Sequence, residues 1–135
     1  MAIYFVPQGP LEEALARAKT GEIPLTEFLD ELLRSEVLVM SKEEILADGS
    51  NFVPLLFESA GYPLIAAFTS FSRTVTQKEM AEYCLSIRGS EFFKRVPTGY
   101  GVVLNPGFSA ALVILPGSVR DIAEGVLPAS VFGEP

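Results

Sequence analysis

The segment YGVVLNPGFSAALVIL (residues 100–115) contains two apolar runs that are joined by a turn. The turn is Asn105-Pro106-Gly107, and proline followed by glycine is typical of the two central positions of a type II turn. Neither run alternates with polar residues, as a strand with one face in water would. We therefore expect Tyr100–Leu104 and Ala110–Leu115 to be central strands of a sheet, buried on both faces.

Two amphipathic helices precede the strands. Apolar residues repeat at helical spacing over 10–19, and a second apolar stripe follows Pro24. Beyond them the pattern predicts strands at 37–40, 52–58, 64–70 and 83–87, and short helices at 42–47, at 77–82, after Ser90 and after Ser118. This order indicates an α+β fold: one domain over 1–135, with two N-terminal helices followed by a mixed β-sheet and short covering helices. The expected core includes Phe68, Val102, Val103, Leu112 and Ile114.

The composition excludes several classes of protein. Of the 135 residues, 49% are hydrophobic and 20% are charged, so the chain is not intrinsically disordered. Seventeen acidic and ten basic residues give a net charge of −7, which does not favour a nucleic acid as partner. The sequence has no histidine and one cysteine, which removes the usual nucleophile–base pairs and zinc ligands. We expect neither catalysis nor a cofactor or a metal.

The longest uncharged stretch, 96–119, has 24 residues and is long enough to cross a membrane. Proline and glycine break it into strand-sized pieces, however, which a spanning helix does not tolerate. The first ten residues lack the basic start of a secretory signal. We therefore expect a cytoplasmic protein that does not enter a membrane.

The last ten residues, 126–135, form an apolar tail. Its large apolar residues are Val126, Leu127, Val131 and Phe132. Such a tail on a small domain either covers the core of its own chain or contacts another subunit. We expect a homodimer, with a tail that covers its own core as the alternative.

Polar residues follow two of the apolar runs directly. Thr69-Ser70-Phe71-Ser72-Arg73 comes after one apolar run, and Asn105-Pro106-Gly107 comes after another. Hydroxyl groups and a guanidinium at strand ends are suited to hold an anionic group. We predict that a small anionic ligand or an acidic side chain of a protein partner binds here, at Thr69, Ser70, Arg73, Asn105 and Gly107. The alternative is structural: the hydroxyls satisfy backbone groups in a turn, and Arg73 pairs with an acidic residue on a covering helix.

Other residues that could carry chemistry have structural explanations. Paired carboxylates such as Glu12 and Glu13 lie on the polar faces of predicted helices, where they favour solubility and interact with the helix dipole. Cys84 has no histidine to activate it, and we expect it to be a small buried apolar residue.

The two polar motifs resemble those of a known family. Phe68-Thr69-Ser70 with Arg73 close behind, followed by Gly101-Val102-Val103-Leu104-Asn105-Pro106-Gly107, looks like the N-terminal domain of the enhanced-serine-sensitivity (SseB-like) proteins. The resemblance extends over residues 10–124. It implies the α+β fold and the pairing of the two motifs, and it supplies no catalytic residue.

Three functions stay open at this point. The first, which we favour, is a non-catalytic binding or regulatory module that contacts another protein. The second is a sensor of a small anion similar to an amino acid, with Arg73 on its carboxylate. The third is an enzyme or an accessory protein of sulfur or amino-acid metabolism, in which catalysis would depend on glutamate, tyrosine or Cys84.

Overall fold

The computed structural model describes residues 3–48, 50, 52–59, 61–126 and 132–133. Within these ranges the helices are α1 (Pro10–Lys19), α2 (Leu25–Arg34), α3 (Phe71–Thr74), α4 (Gly89–Arg95) and α5 (Pro116–Ala123), with a 3₁₀ turn at Val75–Gln77. The strands are β1 (Glu36–Ser41), β2 (Leu56–Ser59), β3 (Tyr62–Phe68), β4 (Tyr83–Arg88), β5 (Gly101–Leu104), β6 (Leu112–Ile114) and β7 (Phe132–Gly133). None of the helices in these ranges is long and apolar enough to cross a membrane.

The strands form one mixed sheet in the order β4-β1-β3-β5-β6-β7, and β2 pairs with the first half of β3. The central pair, β3 and β5, is parallel, whereas the other pairs are antiparallel. Because β3 and β5 are parallel neighbours, their carboxyl ends lie at the same edge of the sheet. This places the segment that follows Phe68 beside the segment that follows Leu104, and the α+β fold expected from the sequence is confirmed.

Strands β5 and β6 bury both of their faces, as the sequence predicted. On one face, α1, α2, α4 and α5 cover the apolar side chains of the sheet, with Phe28 and Phe93 fully buried between the layers. On the opposite face, Phe68, Val103 and Val113 form a smaller core with neighbouring apolar residues. The five residues expected in the core are all buried.

Two short helices that the sequence predicted are absent. Residues 42–47 are not helical, because the Ser41 hydroxyl accepts hydrogen bonds from the backbone amides of Glu43 and Val53 and therefore stabilises a turn at the end of β1. Residues 77–82 do not form a helix either, since the hydroxyl of Thr76 donates to the carbonyl of Arg73 instead of capping a helix. Helical structure begins earlier, at Phe71.

The last helix and the cysteine also differ from expectation. Helix α5 begins at Pro116 and not after Ser118, because proline suits the first helical position. Cys84 is exposed and not buried, because β4 is an edge strand that pairs with β1 alone among the described residues. Of the apolar tail, Phe132–Gly133 pairs with β6, and Val126 is exposed. Leu127 and Val131 lie outside the described residues.

We expect Val103→Asp to unfold the domain. Val103 is buried in the smaller core, and a carboxylate there would have no polar partner, so the substitution costs several kcal/mol of a total stability of about 5–15 kcal/mol. Thermal unfolding followed by circular dichroism measures the effect. The matched control is Val126→Asp, because Val126 is exposed. A Val103→Asp protein with the wild-type melting temperature would contradict the assignment of β5.

Candidate functional site

The candidate site is centred on Glu12, which lies in the first turn of α1. Pro10 starts the helix, and Leu11 and Leu15 turn one side of it towards the core. Glu12 is adjacent to that apolar stripe and is carried inwards with it, so that its side chain is 0% exposed. A carboxylate that is buried to this extent must be paired and hydrogen-bonded to remain ionised.

Arg73 on α3 is the partner of this carboxylate. Its Nη2 donates to Oε1 of Glu12 at 2.6 Å, and its Nε donates to Oε2 at 3.1 Å, which makes the pair bidentate. The Arg73 side chain is 7% exposed. The guanidinium therefore binds a carboxylate of its own chain, on a covering helix.

Hydroxyl groups complete the hydrogen bonds of the carboxylate. Oε2 of Glu12 accepts from the Thr69 hydroxyl, and from the Ser70 hydroxyl at 2.9 Å. Oε1 also accepts from the backbone amide of Gln8 at 2.9 Å. Ser70 precedes α3 without capping it through its side chain, since its hydroxyl is bonded to Glu12.

The turn after β5 joins the cluster through Asn105. Its Nδ2 donates to the Thr69 hydroxyl oxygen at 2.9 Å, and its Oδ1 accepts from the Thr69 backbone amide at 3.1 Å. Asn105 is fully buried and has a φ of 51°, a left-handed conformation that asparagine tolerates better than most residues. A chain of hydrogen bonds therefore leads from Asn105 through Thr69 to Glu12.

The N-terminal segment lies against the same cluster. The Val6 carbonyl accepts from Nη2 of Arg73 at 2.5 Å, and the guanidinium lies over the Phe5 ring, 4.3 Å from its centroid. The Gly107 carbonyl accepts from the Ile3 amide at 2.8 Å. Gly107 has a φ of 91°, as the turn requires. Cation–π contact and hydrogen bonds thus attach residues 3–6 to both motifs.

The expected adjacency of Thr69–Arg73 and Asn105–Gly107 is confirmed by these distances. Whether the five residues bind a ligand or a partner stays a prediction. Sequence reasoning missed Glu12, which it placed on a polar helix face; this was wrong, because the side chain is buried. The available signal was its position three residues before Leu15, next to the apolar stripe of α1.

The hydrogen bonds of the cluster stabilise the ionised form of the Glu12 carboxylate. Burial alone would raise the pKa of Glu12. The hydrogen bonds from Arg73, Thr69, Gln8 and Ser70 together lower the pKa by more than burial raises it, so the carboxyl has a pKa below its ordinary value of 4.5. Elsewhere, desolvation by neighbouring atoms raises the pKa of the Cys84 thiol although the residue is exposed, and this disfavours the thiolate. The described ranges contain no group of three His, Cys, Asp or Glu side chains that could hold a metal ion.

We expect the contribution of Glu12 to stability to depend on pH. Because the pKa of the folded state is lowered, this contribution is present above about pH 4.5 and is lost as the pH falls through the folded value. At neutral pH, Glu12→Gln leaves the Arg73 charge buried and unpaired, at a cost of about 3–5 kcal/mol. Urea unfolding over a pH series measures the difference from wild type, which shrinks as the solution becomes acidic.

The control for this series is Glu13→Gln, the exposed neighbour, which we expect to change the free energy of unfolding by less than about 0.5 kcal/mol. A Glu12→Gln difference that stays constant from neutral to acidic pH would show that the ionised carboxylate does not stabilise the fold.

We expect Glu12 and Arg73 to act as a unit. Arg73→Met leaves the buried carboxylate of Glu12 without its cationic partner and lowers the free energy of unfolding by about 3–5 kcal/mol, as does Glu12→Gln. The double variant removes both charges, so its loss in unfolding free energy is smaller than the two single losses added, by about 0.5–3 kcal/mol. Denaturant unfolding of the four proteins measures this coupling, and additive losses would contradict it.

Comparison with known proteins confirms the resemblance to the SseB-like family. The family model of the SseB protein N-terminal domain matches residues 11–121, a range that includes Glu12, Arg73 and Asn105. No curated protein and no solved structure matches the chain. The matched residues span most of the 135, and the chain therefore belongs to the family of the SseB protein N-terminal domain.

Proposed function

We propose that this chain is a non-catalytic protein-binding module, and that its partner docks on apolar side chains held around the Glu12–Arg73 pair. The observation that carries the proposal is the exposure of these side chains. Tyr4 and Val6 in the N-terminal segment are 80% and 58% exposed, and Phe71 and Val75 beside Arg73 are 66% and 54% exposed. We call these four residues the apolar surface.

The apolar surface has the composition of a docking site. Large apolar side chains that are exposed together are uncommon on monomers and are enriched where proteins meet. Both segments that carry it are tied to Arg73: the Val6 carbonyl accepts from its guanidinium, and Phe71 and Val75 lie two residues before and after it. The Ser72 hydroxyl adds a second connection, donating to Oε1 of Gln8 at 2.8 Å.

In this proposal the polar residues that the sequence indicated position the two segments that carry the apolar surface. Thr69, Ser70, Arg73 and Asn105 hold the two segments in one arrangement before a partner arrives, which lowers the entropy lost on binding. Because Glu12 already neutralises the Arg73 guanidinium, a protein partner is favoured over a small anion at this place. The homodimer, the cytoplasmic location, and a role in sulfur or amino-acid metabolism stay predictions.

We expect a photo-crosslinking residue at position 71 to capture one protein reproducibly in cells that produce the chain. The captured protein is then purified, and its affinity for variants is measured by calorimetry. Val75→Ser should weaken binding about tenfold or more, as loss of an interface anchor does. Melting temperature should change little, because Val75 is exposed.

The matched control is Val126→Ser, since Val126 is 55% exposed and lies three residues after α5. It should bind the partner like the wild-type protein. Equal weakening by both substitutions, or equal capture from positions 71 and 126, would overturn the proposal.

A further inference from the structure

A cleft of about 660 Å³ is lined by none of the four residues of the apolar surface. It opens between β4, the C-terminal end of α4 and the segment around Ala47 and Phe52. Its size is within the range of sites that bind small molecules.

The floor of the cleft is apolar. Val39 and Ile65 from the sheet, Phe92 from α4 and Val96 directly after α4 line it, and all four are buried. Leu85 on β4 also lines the cleft, yet it is exposed. The apolar area of the cleft that reaches solvent belongs to Leu85 and to the half-buried Phe52 and Ile87, and a ligand with an apolar side chain would remove this area from water.

The rim carries one charge of each sign. Arg95, the last residue of α4, is exposed, and its Nη2 is 3.9 Å from Oε1 of Glu91. Asp48 is exposed on the opposite segment, where hydrogen bonds from the Ser50 hydroxyl and amide hold its pKa below the ordinary range, so it is ionised at neutral pH. A monoanion would approach Asp48 as well as Arg95, in a chain of net charge −7.

We infer that the cleft binds a small zwitterion with an apolar side chain, of the class of apolar and aromatic α-amino acids. Arg95 holds the carboxylate of the ligand, Asp48 holds its ammonium group, and the side chain lies against Leu85, Phe52 and Ile87, above the buried floor. This complementarity accounts for the two opposite charges and for the apolar floor together.

The test uses the full chain labelled with ¹⁵N and a set of matched compounds. Phenylalanine should shift the amide signals of Val39, Leu85 and Phe92 in a saturable way. Phenylpropionate lacks the ammonium group, phenylethylamine lacks the carboxylate, and glycine lacks the apolar side chain. Phenylpropionate and phenylethylamine should each bind about fivefold more weakly than phenylalanine, because one exposed ion pair is lost. Glycine should also bind more weakly, because it has no apolar side chain to bury.

Variants separate the two charges. Arg95→Gln should weaken the binding of phenylalanine and of phenylpropionate about fivefold and leave the binding of phenylethylamine unchanged. Asp48→Asn should weaken the binding of phenylalanine and of phenylethylamine about fivefold and leave that of phenylpropionate unchanged. Lys94→Gln is the matched control, because Lys94 is an exposed cation next to Arg95 that does not line the cleft. Ala47→Trp fills the cleft from an exposed position and should abolish binding of phenylalanine without unfolding the protein.

Four outcomes would overturn the inference. They are no saturable shift with phenylalanine or leucine, equal affinity for phenylpropionate and phenylalanine, equal effects of Arg95→Gln and Lys94→Gln, or undiminished binding by Ala47→Trp. None of them bears on the apolar surface, so the protein-binding proposal is tested separately.

Discussion

A carboxylate without exposure to water constrains this fold more than any other group. Removing an ionised carboxylate from water costs several kcal/mol, and the cost is offset only when its oxygens receive well-placed donors. Glu12 receives them from a backbone amide at Gln8, from two hydroxyls and from a guanidinium. These donors come from segments that are about sixty positions apart in the chain, so the pair is satisfied only when α1, the N-terminal segment and the β3–α3 connection meet.

The parallel pairing of β3 and β5 makes this meeting possible. It brings the carboxyl ends of both strands to one edge, where Thr69 lies beside Asn105. Asn105 then serves two purposes: its left-handed backbone turns the chain out of β5, and its amide side chain binds both the backbone and the hydroxyl of Thr69. An ionised aspartate at this position would accept from the Thr69 amide but would have no N–H to donate to the Thr69 hydroxyl, which gives the asparagine of the Asn-Pro-Gly sequence a physical reason.

The local sequence pattern predicted the helices and strands that are formed by regularly spaced apolar residues. It did not predict the features that depend on contacts between residues far apart in the chain. The periodicity of α1 and α2 and the apolar runs of β5 and β6 identified their elements and the core of the sheet. The helices predicted after Ser41 and Thr76 are absent because those hydroxyls bond to a turn and to the Arg73 carbonyl. Cys84 is exposed because β4 lies at the edge of the sheet, a property of strand order that no local pattern contains. The sequence indicated, as the alternative, that Arg73 pairs with an acidic residue on a covering helix. It did not identify Glu12 as that residue, because the contact joins positions about sixty residues apart.

The apolar cleft follows from the lengths of the elements around it. Helix α4 has seven residues and is about 10 Å long, whereas the six residues of β4 extend over about 20 Å. A helix that follows this strand directly can therefore cover only about half of it. It cannot shift to cover more, because α4 begins at Gly89 in close contact with α2, where an added Cβ would lie 2.1 Å from the Leu32 carbonyl oxygen. Leu85 on β4 is accordingly exposed, and the cleft opens beside it.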